Sequence, residues 1–194
     1  PISIVVNNKK QLSVINDPYK GVIYKGAIVI IVNGNSASAS EFFASIMQDY
    51  NRAILIGSTT LGKATMQTIA PLEKNDNQHF VKFTISKFYR ITGESHQSVG
   101  VIPNVPIPTI YQDIFQKESE FPTALKNERL NSRIRFTPYV SNDLINGLAE
   151  KSKKRVAQDP YFNSVIEINA KIDKFVKNPY LEIPMTLEAV FNNQ

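Results

Sequence analysis

The chain has 194 residues, of which 42% are hydrophobic and 20% are charged, with a formal net charge of +5 at pH 7. These values predict one water-soluble globular domain with at most an appendage, and no apolar run is long enough to cross a bilayer. The absence of cysteine excludes disulfides, thiolate metal sites and a cysteine nucleophile. The two histidines, His79 and His96, are too few for a histidine-based metal site and are predicted to lie at the surface. We therefore expect no metal and no cofactor.

The excess of positive charge lies largely in residues 151–155, inside a segment with helical periodicity. A basic patch of this kind is either a nucleic-acid contact or a solvated helix face. The sequence has no recognisable nucleic-acid module, and its basic residues are not interleaved with stacking aromatic side chains. A solvated face is the better interpretation, so no nucleic-acid partner is predicted.

The first elements in chain order are predicted to be strands. Residues 2–6 and 11–15 read as a hairpin, because the asparagines between them suit a turn. Residues 27–32 form a short, β-branched apolar run, which predicts a strand buried on both faces. A second buried strand covers residues 53–56 and ends at Gly57.

A turn rich in serine leads from the first of these buried strands into a helix. Ser36, Ser38 and Ser40 alternate with alanines and lead into an amphipathic run. The apolar positions of that predicted helix are Phe42, Phe43, Ile46 and Met47. The loop after the second strand then carries Lys63 in a stretch that is otherwise free of charge.

The remainder of the chain changes character near residue 112. Residues 80–91 alternate as in a half-buried strand, and the proline-rich residues 100–108 are expected to be extended at a sheet edge. Residues 109–137 are irregular, with weak helical character around 124–130. Two cleaner helices follow, one capped by Ser141 and one begun by the Asp-Pro pair at 159–160.

Serine becomes a nucleophile only when a base removes its proton, and neither histidine is well placed in the sequence to form a Ser-His-Asp triad. A neutral lysine can replace histidine as the base, and poor solvation favours the neutral amine over the ammonium. Backbone N–H groups at the start of the predicted helix would stabilise an oxyanion formed there. However, Ser38-Ala-Ser-Glu41 is also a capping box, a common way to begin a helix. From the residues alone, capping is the commoner reason for this pattern.

Three motifs together change that balance. SASASEFFASIMQDYNRAILIG, TLGKATMQ and the later GVIPNVPIP occur in this order and resemble the S41 peptidases, the carboxy-terminal-processing or tail-specific proteases. The segments KFYRITGESHQSVG and RVAQDPYFNSV extend the resemblance to the bacterial periplasmic branch, which carries a helical C-terminal extension. The resemblance thus covers most of the chain.

The resemblance implies a Ser–Lys endopeptidase with an acyl-enzyme mechanism. The family's nucleophile falls on Ser38 and its general base on Lys63. The family's assisting glutamine falls on Gln67, where its amide would orient the lysine amine. The backbone N–H of Ala39 would supply one oxyanion donor.

Two carboxylates near the motif are expected to be structural. Asp49 matches an aspartate sometimes implicated in this branch, but it lies near the predicted helix end. Glu41 is interpreted as the helix-capping carboxylate. Departures from the family pattern are Ala64 in place of glycine, Met66 in the next hydrophobic position and Asn104 in place of aspartate.

The resemblance also implies an α/β fold: an incomplete ClpP/crotonase-like protease core, residues 1–112, followed by a mostly helical extension, residues 113–194. Implied substrates are proteins or peptides with apolar C-termini, in the bacterial periplasm or cell envelope. The family's glycine-rich oxyanion segment and PDZ module would lie upstream of Pro1, as would a signal peptide and any membrane attachment. We accordingly expect residues 1–194 alone to be inactive or nearly so. The alternative is a catalytically silent relative that binds protein tails or scaffolds envelope complexes.

Overall fold

The computed structural model of the chain describes residues 1–19, 21–74, 77–112, 114–132, 134–177, 186 and 188. Within these ranges the chain is a mixed α/β protein with two sheets and three α-helices, as the sequence predicts. The strands are β1 (Ser3–Asn7), β2 (Leu12–Ile15), β3 (Val29–Val32), β4 (Ile54–Gly57), β5 (Thr65–Pro71), β6 (Phe80–Tyr89) and β7 (Val105–Pro106). The α-helices are α1 (Ala39–Asp49), α2 (Asn142–Gln158) and α3 (Pro160–Lys177).

The first sheet is antiparallel, with the strand order β2-β1-β6-β5. Its predicted β1–β2 hairpin is confirmed, and the Asn7 side chain explains the turn. Asn7 Oδ1 accepts hydrogen bonds from the backbone N–H groups of Lys9 (3.0 Å) and Gln11 (2.9 Å). Strand β5 is an edge strand of this sheet, and it begins two residues after Lys63.

The second sheet is parallel, with the order β3-β4-β7, and it carries the main core. Helix α1 connects β3 to β4 and lays Ala44 against the sheet. The core cluster consists of Val32, Ala44, Leu55 and Val101, each at most 4% exposed. The proline-rich segment supplies β7 at the sheet edge, which confirms its predicted extended form.

Two predictions about strand burial are wrong. Val29 and Ile31 of β3 are 55% and 80% exposed, so this strand is buried on one face only. Strand β3 is an edge strand of the second sheet, and its outer face is largely exposed. The first half of β6 is likewise exposed on both faces, because it projects with β5 beyond the rest of the sheet.

Both predicted C-terminal helices are confirmed. The Ser141 side chain accepts a hydrogen bond from Leu144 N at 3.5 Å, and Asp159 Oδ1 accepts one from Tyr161 N at 2.8 Å. The weak helix expected at residues 124–130 is absent, and a 3₁₀ turn forms earlier, at Glu118–Glu120. Backbone and side-chain groups of residues 124–130 bond to residues 93–98 instead of to one another. No helix in the described ranges is both long and apolar enough to span a membrane.

Leu55 tests the position of the core. Replacing its fully buried side chain with alanine (Leu55→Ala) leaves a cavity between β4 and α1, so we expect the free energy of unfolding to fall by about 2 to 5 kcal/mol. The matched change Ile31→Ala, on the exposed face of β3, is expected to cost less than about 1 kcal/mol. Denaturant unfolding of both variants measures the difference, and equal losses would mean that the core lies elsewhere.

Candidate active site

The turn after β3 brings the serine cluster to the carboxyl end of the parallel sheet. The Ser36 hydroxyl accepts a hydrogen bond from Asn33 N at 3.2 Å, and Ser36 N donates to Asn33 O at 2.9 Å. The Ser36 carbonyl accepts a hydrogen bond from Leu61 N at 3.0 Å, two residues before Lys63. The turn at residues 33–38, which we call the serine turn, and the loop at residues 58–64, which we call the lysine loop, are therefore neighbours in the fold.

Ser38 has an uncommon backbone conformation, with φ 55° and ψ −110°. Residues other than glycine rarely adopt a positive φ, and those that do cluster at functional sites. An ordinary N-cap residue is extended, as Ser141 is in this chain with φ −70° and ψ 151°. Ser38 stands in the capping position of α1 and forms a capping box with Glu41, although its hydroxyl makes no cap hydrogen bond of normal geometry. Capping alone therefore does not account for Ser38.

Glu41 joins the serine turn to the lysine loop. Its side chain is fully buried, and Oε2 accepts hydrogen bonds from Ser38 N and Lys63 N, both at 2.8 Å. Oε1 accepts from Gly62 N at 2.7 Å and from the Thr60 hydroxyl. Glu41 thus caps the helix as expected and also fixes the backbone on which Lys63 stands.

The lysine loop is shaped by close backbone packing. Gly62 has φ +100°, and a Cβ atom there would lie 3.0 Å from Gly100 N. The Thr60 hydroxyl accepts a hydrogen bond from Val101 N at 2.7 Å while donating to Glu41. The sequence analysis missed Thr60, because nothing in its local pattern distinguishes it from an ordinary loop threonine.

Lys63 and Gln67 are in contact. Lys63 Nζ donates a hydrogen bond to Gln67 Oε1 at 3.0 Å, with Lys63 half-buried and Gln67 exposed on β5. A register shift between Met66 and Gln67 interrupts the pairing of β5 with β6 at this point. No hydrogen bond joins Lys63 Nζ to the Ser38 hydroxyl in the part of the chain that the structure describes.

Two further features border the lysine. Ala39 is the first residue of α1, and its N–H has no hydrogen-bond acceptor among the described residues. A cavity of about 240 Å³ opens beside Lys63 and Gln67. Its other wall includes Glu118, Phe121, Thr123 and Leu125 from the second half of the chain.

Asp49 lies in a separate polar cluster at the end of α1. Its Oδ1 accepts hydrogen bonds from Arg90 Nε at 2.8 Å and from Arg90 Nη2 at 2.5 Å. Burial raises the pKa of this carboxyl above its ordinary value, and the Arg90 contact partly offsets that increase. The described hydrogen bonds of Asp49 reach neither the serine turn nor the lysine loop.

His96 is buried at 3% exposure, so the prediction of a surface histidine is wrong for this residue. His79, the other histidine, is exposed. Burial lowers the pKa of His96 below its ordinary value of 6.5, with Arg90 acting in the same direction and Glu41 in the opposite one. The ring lies beside the Lys63 backbone, yet neither ring nitrogen makes a hydrogen bond of normal geometry to a described residue.

Glu41→Gln tests the buried carboxylate. Each oxygen of Glu41 accepts a hydrogen bond from at least one backbone N–H. In either orientation of the new amide, its NH₂ group would therefore face a backbone N–H, and that buried donor would lose its acceptor. We expect the free energy of unfolding to fall by about 2 to 3 kcal/mol. The exposed control Glu120→Gln is expected to change it by less than about 0.5 kcal/mol. Similar denaturation midpoints for Glu41→Gln and the control would contradict this role.

His96 generates a prediction about pH. The unfolded chain takes up a proton on this histidine near pH 6.5, whereas burial makes the folded chain resist protonation, so stability is lost as the pH falls below 6.5. His96→Gln, which cannot titrate, is expected to lose less stability than the wild type between pH 7 and pH 5. Denaturant unfolding at both pH values measures the two slopes. Parallel slopes would show that this histidine titrates alike in both states.

Comparison with known proteins identifies the family to which this chain is similar. The model of peptidase family S41 matches residues 3–107, which is more than half of the chain. The tail-specific protease of Haemophilus influenzae is 36% identical over 153 residues, covering 74% of this chain and 22% of that protein. The carboxy-terminal-processing protease of Bartonella bacilliformis is 36% identical over 108 residues, covering 53% of this chain and 24% of that protein.

Among solved structures, a photosystem II D1 C-terminal processing protease is similar with 31% sequence identity and a TM-score of 0.37. That alignment covers 42% of this chain and 20% of the other. The chain spans about a fifth to a quarter of the length of the curated relatives that it matches. The family match contains the serine turn, α1, the lysine loop and β5. The chain therefore belongs to peptidase family S41.

Proposed function

We propose that this chain carries the catalytic centre of a serine endopeptidase in which Ser38 is the nucleophile and Lys63 the general base. The observation that carries the proposal is the Glu41 carboxylate, whose Oε2 binds both Ser38 N and Lys63 N at 2.8 Å. A purely structural capping carboxylate needs only the first of these bonds. One buried oxygen shared by both residues keeps nucleophile and base in one place.

The backbone of Ser38 also supports this role. Its positive φ places the residue at a sharp strand-to-helix turn, and its hydroxyl, although part of the capping box, makes no cap hydrogen bond of normal geometry. The next N–H, that of Ala39, is the first of α1 and has no acceptor among the described residues. It is one donor for the oxyanion that forms when Ser38 attacks a carbonyl.

The mechanism is acyl transfer. Neutral Lys63 takes the Ser38 proton as the serine oxygen bonds to the scissile carbonyl carbon, and the resulting oxyanion binds the Ala39 N–H. The Lys63 ammonium then gives that proton to the leaving amine, and the C–N bond breaks to leave an acyl-enzyme. Lys63 next removes a proton from water as the water oxygen bonds to the ester carbon. The bond between that carbon and the Ser38 oxygen then breaks, the Lys63 ammonium returns the proton to Ser38, and the new C-terminus is released.

Gln67 is proposed to orient the base. Its Oε1 holds Lys63 Nζ at 3.0 Å and so limits the rotamers of a flexible side chain. Without substrate, Nζ bonds to Gln67 and not to Ser38. Catalytic hydrogen bonds are often long or unformed in free enzymes and tighten in the substrate complex, so this geometry is compatible with the dyad.

The proposed substrates are proteins or peptides with apolar C-termini, cleaved in the bacterial periplasm or cell envelope. Support comes from the relatives named a tail-specific protease and a carboxy-terminal-processing protease. The parallel sheet with α1 across it is proposed to belong to a ClpP/crotonase-like core. The alternative is a catalytically silent relative that binds tails, and the missing Ser38–Lys63 hydrogen bond is the observation that favours it.

Ser38→Ala and Lys63→Ala in the intact protein test the dyad. Each removes a group that acts in the chemical step, so we expect cleavage of an unstructured reporter with an apolar tail to fall by at least about ten-thousandfold. Ser40→Ala is the matched control, because Ser40 lies in the same cluster but is exposed on the first turn of α1. It is expected to cleave like the wild type.

Thermal unfolding must first show that the three variants fold. Cleavage retained by folded Ser38→Ala would refute the assignment of the nucleophile. A wild-type protein that binds the reporter but never cleaves it would favour the silent relative.

A further inference from the structure

A segment from the second half of the chain runs along a loop of the protease core. We call residues 118–132 the strap and residues 91–98 the core loop. As the strap runs forward, its partners in the core loop run backward, so the two lie side by side in opposite directions. The hydrogen bonds join Ser98 Oγ to Leu125 O (2.9 Å), Asn127 Nδ2 to Gln97 O (2.7 Å) and Ser95 O (2.8 Å), Leu130 N to Gly93 O (2.8 Å) and Ser132 Oγ to Ile91 O (2.7 Å).

Asn127 is the central contact of the strap. Its amide NH₂ group donates to two backbone carbonyls two residues apart in the core loop, those of Ser95 and Gln97. Both amide hydrogens are therefore used, and the backbone on either side of His96 is held. No residue in the local sequence of the strap predicts this contact, because its partners lie about thirty residues earlier.

Gln97 connects the strap to the lysine loop through hydrogen bonds of its side chain. Its side chain is 2% exposed, and Oε1 accepts a hydrogen bond from Ala64 N at 2.8 Å. Its Nε2 donates to Glu118 Oε1 of the strap at 3.3 Å, and Glu118 N donates to Leu61 O at 3.1 Å. The backbone is thus fixed at Leu61 and at Ala64, on both sides of Lys63.

We propose that the strap, acting through Asn127 and Gln97, positions the lysine base of the active site. This inference rests on the proposed function, since it assigns a role relative to Lys63 as the base. Gln97 and Asn127 are positioning residues that touch no reacting group. The strap belongs to the expected extension, residues 113–194, and its hydrogen bonds reach residues of the expected core, 1–112, so the extension takes part in building the catalytic centre.

Such positioning matters because proton transfer tolerates only a small change in the distance between donor and acceptor. Lys63 Nζ must reach the Ser38 hydroxyl, and a displacement of about 1 Å far from the chemistry can cost about a hundredfold in rate. Glu41 fixes Lys63 N, but Ala64 N is fixed by Gln97. Loss of the second bond lets the chain pivot at Lys63 and moves Nζ without breaking the core.

The test compares four variants of the intact protease. Asn127→Ala and Gln97→Leu remove the strap and relay contacts, while Asn131→Ala changes a strap residue whose side chain makes no hydrogen bond to a described residue. The double variant Gln97→Glu with Glu118→Gln exchanges donor and acceptor between the pair, so Ala64 N keeps its acceptor. Cleavage of the reporter gives kcat and KM, and amide hydrogen exchange reports directly on Ala64 N.

We expect Asn127→Ala and Gln97→Leu to lower kcat by about tenfold to a hundredfold with little change in KM, and to speed exchange at Ala64. Asn131→Ala is expected to behave like the wild type in both measurements, and the double variant is expected to keep exchange at Ala64 slow. Should Gln97→Leu fail to fold, the comparison of Asn127→Ala with Asn131→Ala still decides the matter.

The outcomes separate this inference from the proposed function. Unchanged exchange at Ala64 in Asn127→Ala would overturn the role of the strap, and faster exchange with unchanged kcat would overturn its effect on the base. In both cases the Ser38 and Lys63 assignments stand. If Ser38→Ala still cleaves, the proposed function fails and the positioning role falls with it.

Discussion

The geometry of the candidate site depends on the burial of one carboxylate. Glu41 is fully enclosed, which is costly for a charged group unless its oxygens are saturated with hydrogen bonds. Four donors meet this requirement, and they come from two segments that are not adjacent in sequence: Ser38, and the stretch from Thr60 to Lys63. The same desolvation that makes the carboxylate expensive to bury forces these two segments together. Removing any one donor would leave buried charge less well compensated.

This arrangement also removes the conflict between capping and catalysis at Ser38. In a simple capping box the serine hydroxyl and the glutamate carboxylate are both committed to the helix terminus. In this chain both halves of the box are in place: Glu41 Oε2 accepts from Ser38 N, and the Ser38 hydroxyl pairs with Glu41 N, although not with the geometry of a normal hydrogen bond. The helix start is therefore held chiefly by Glu41, and the Ser38 hydroxyl is only weakly engaged at the cap. Capping and the proposed catalytic role of Ser38 are thus compatible in one motif.

Elements set by local chemistry could be predicted from the sequence, and those set by distant partners could not. The Asn7 turn, α1, β4 and the starts of α2 and α3 follow from turn residues, caps and periodicity. The exposed face of β3 could not be predicted, because a continuous apolar run gives the same sequence pattern whether one face of the strand is covered or both. His96 sits in a polar stretch that predicts a surface position, yet contacts from other elements bury it. Within the candidate site, the serine–lysine pairing needed the family resemblance, and Thr60 and Gln97 carried no local signal at all.

The two fixed amides on the lysine loop support the proposed role of Lys63, a flexible residue, as a base. Lys63 N is bonded to Glu41 and Ala64 N to Gln97, so consecutive peptide units are held by two different parts of the chain. Freedom is then confined to the lysine side chain, which costs about 2 kcal/mol to immobilise completely. Gln67 removes part of that freedom before substrate arrives, because it already holds Nζ near β5. A base that moves only by side-chain rotation can exchange Gln67 for the serine hydroxyl without any rearrangement of the backbone, and this is the property that the proposed dyad requires.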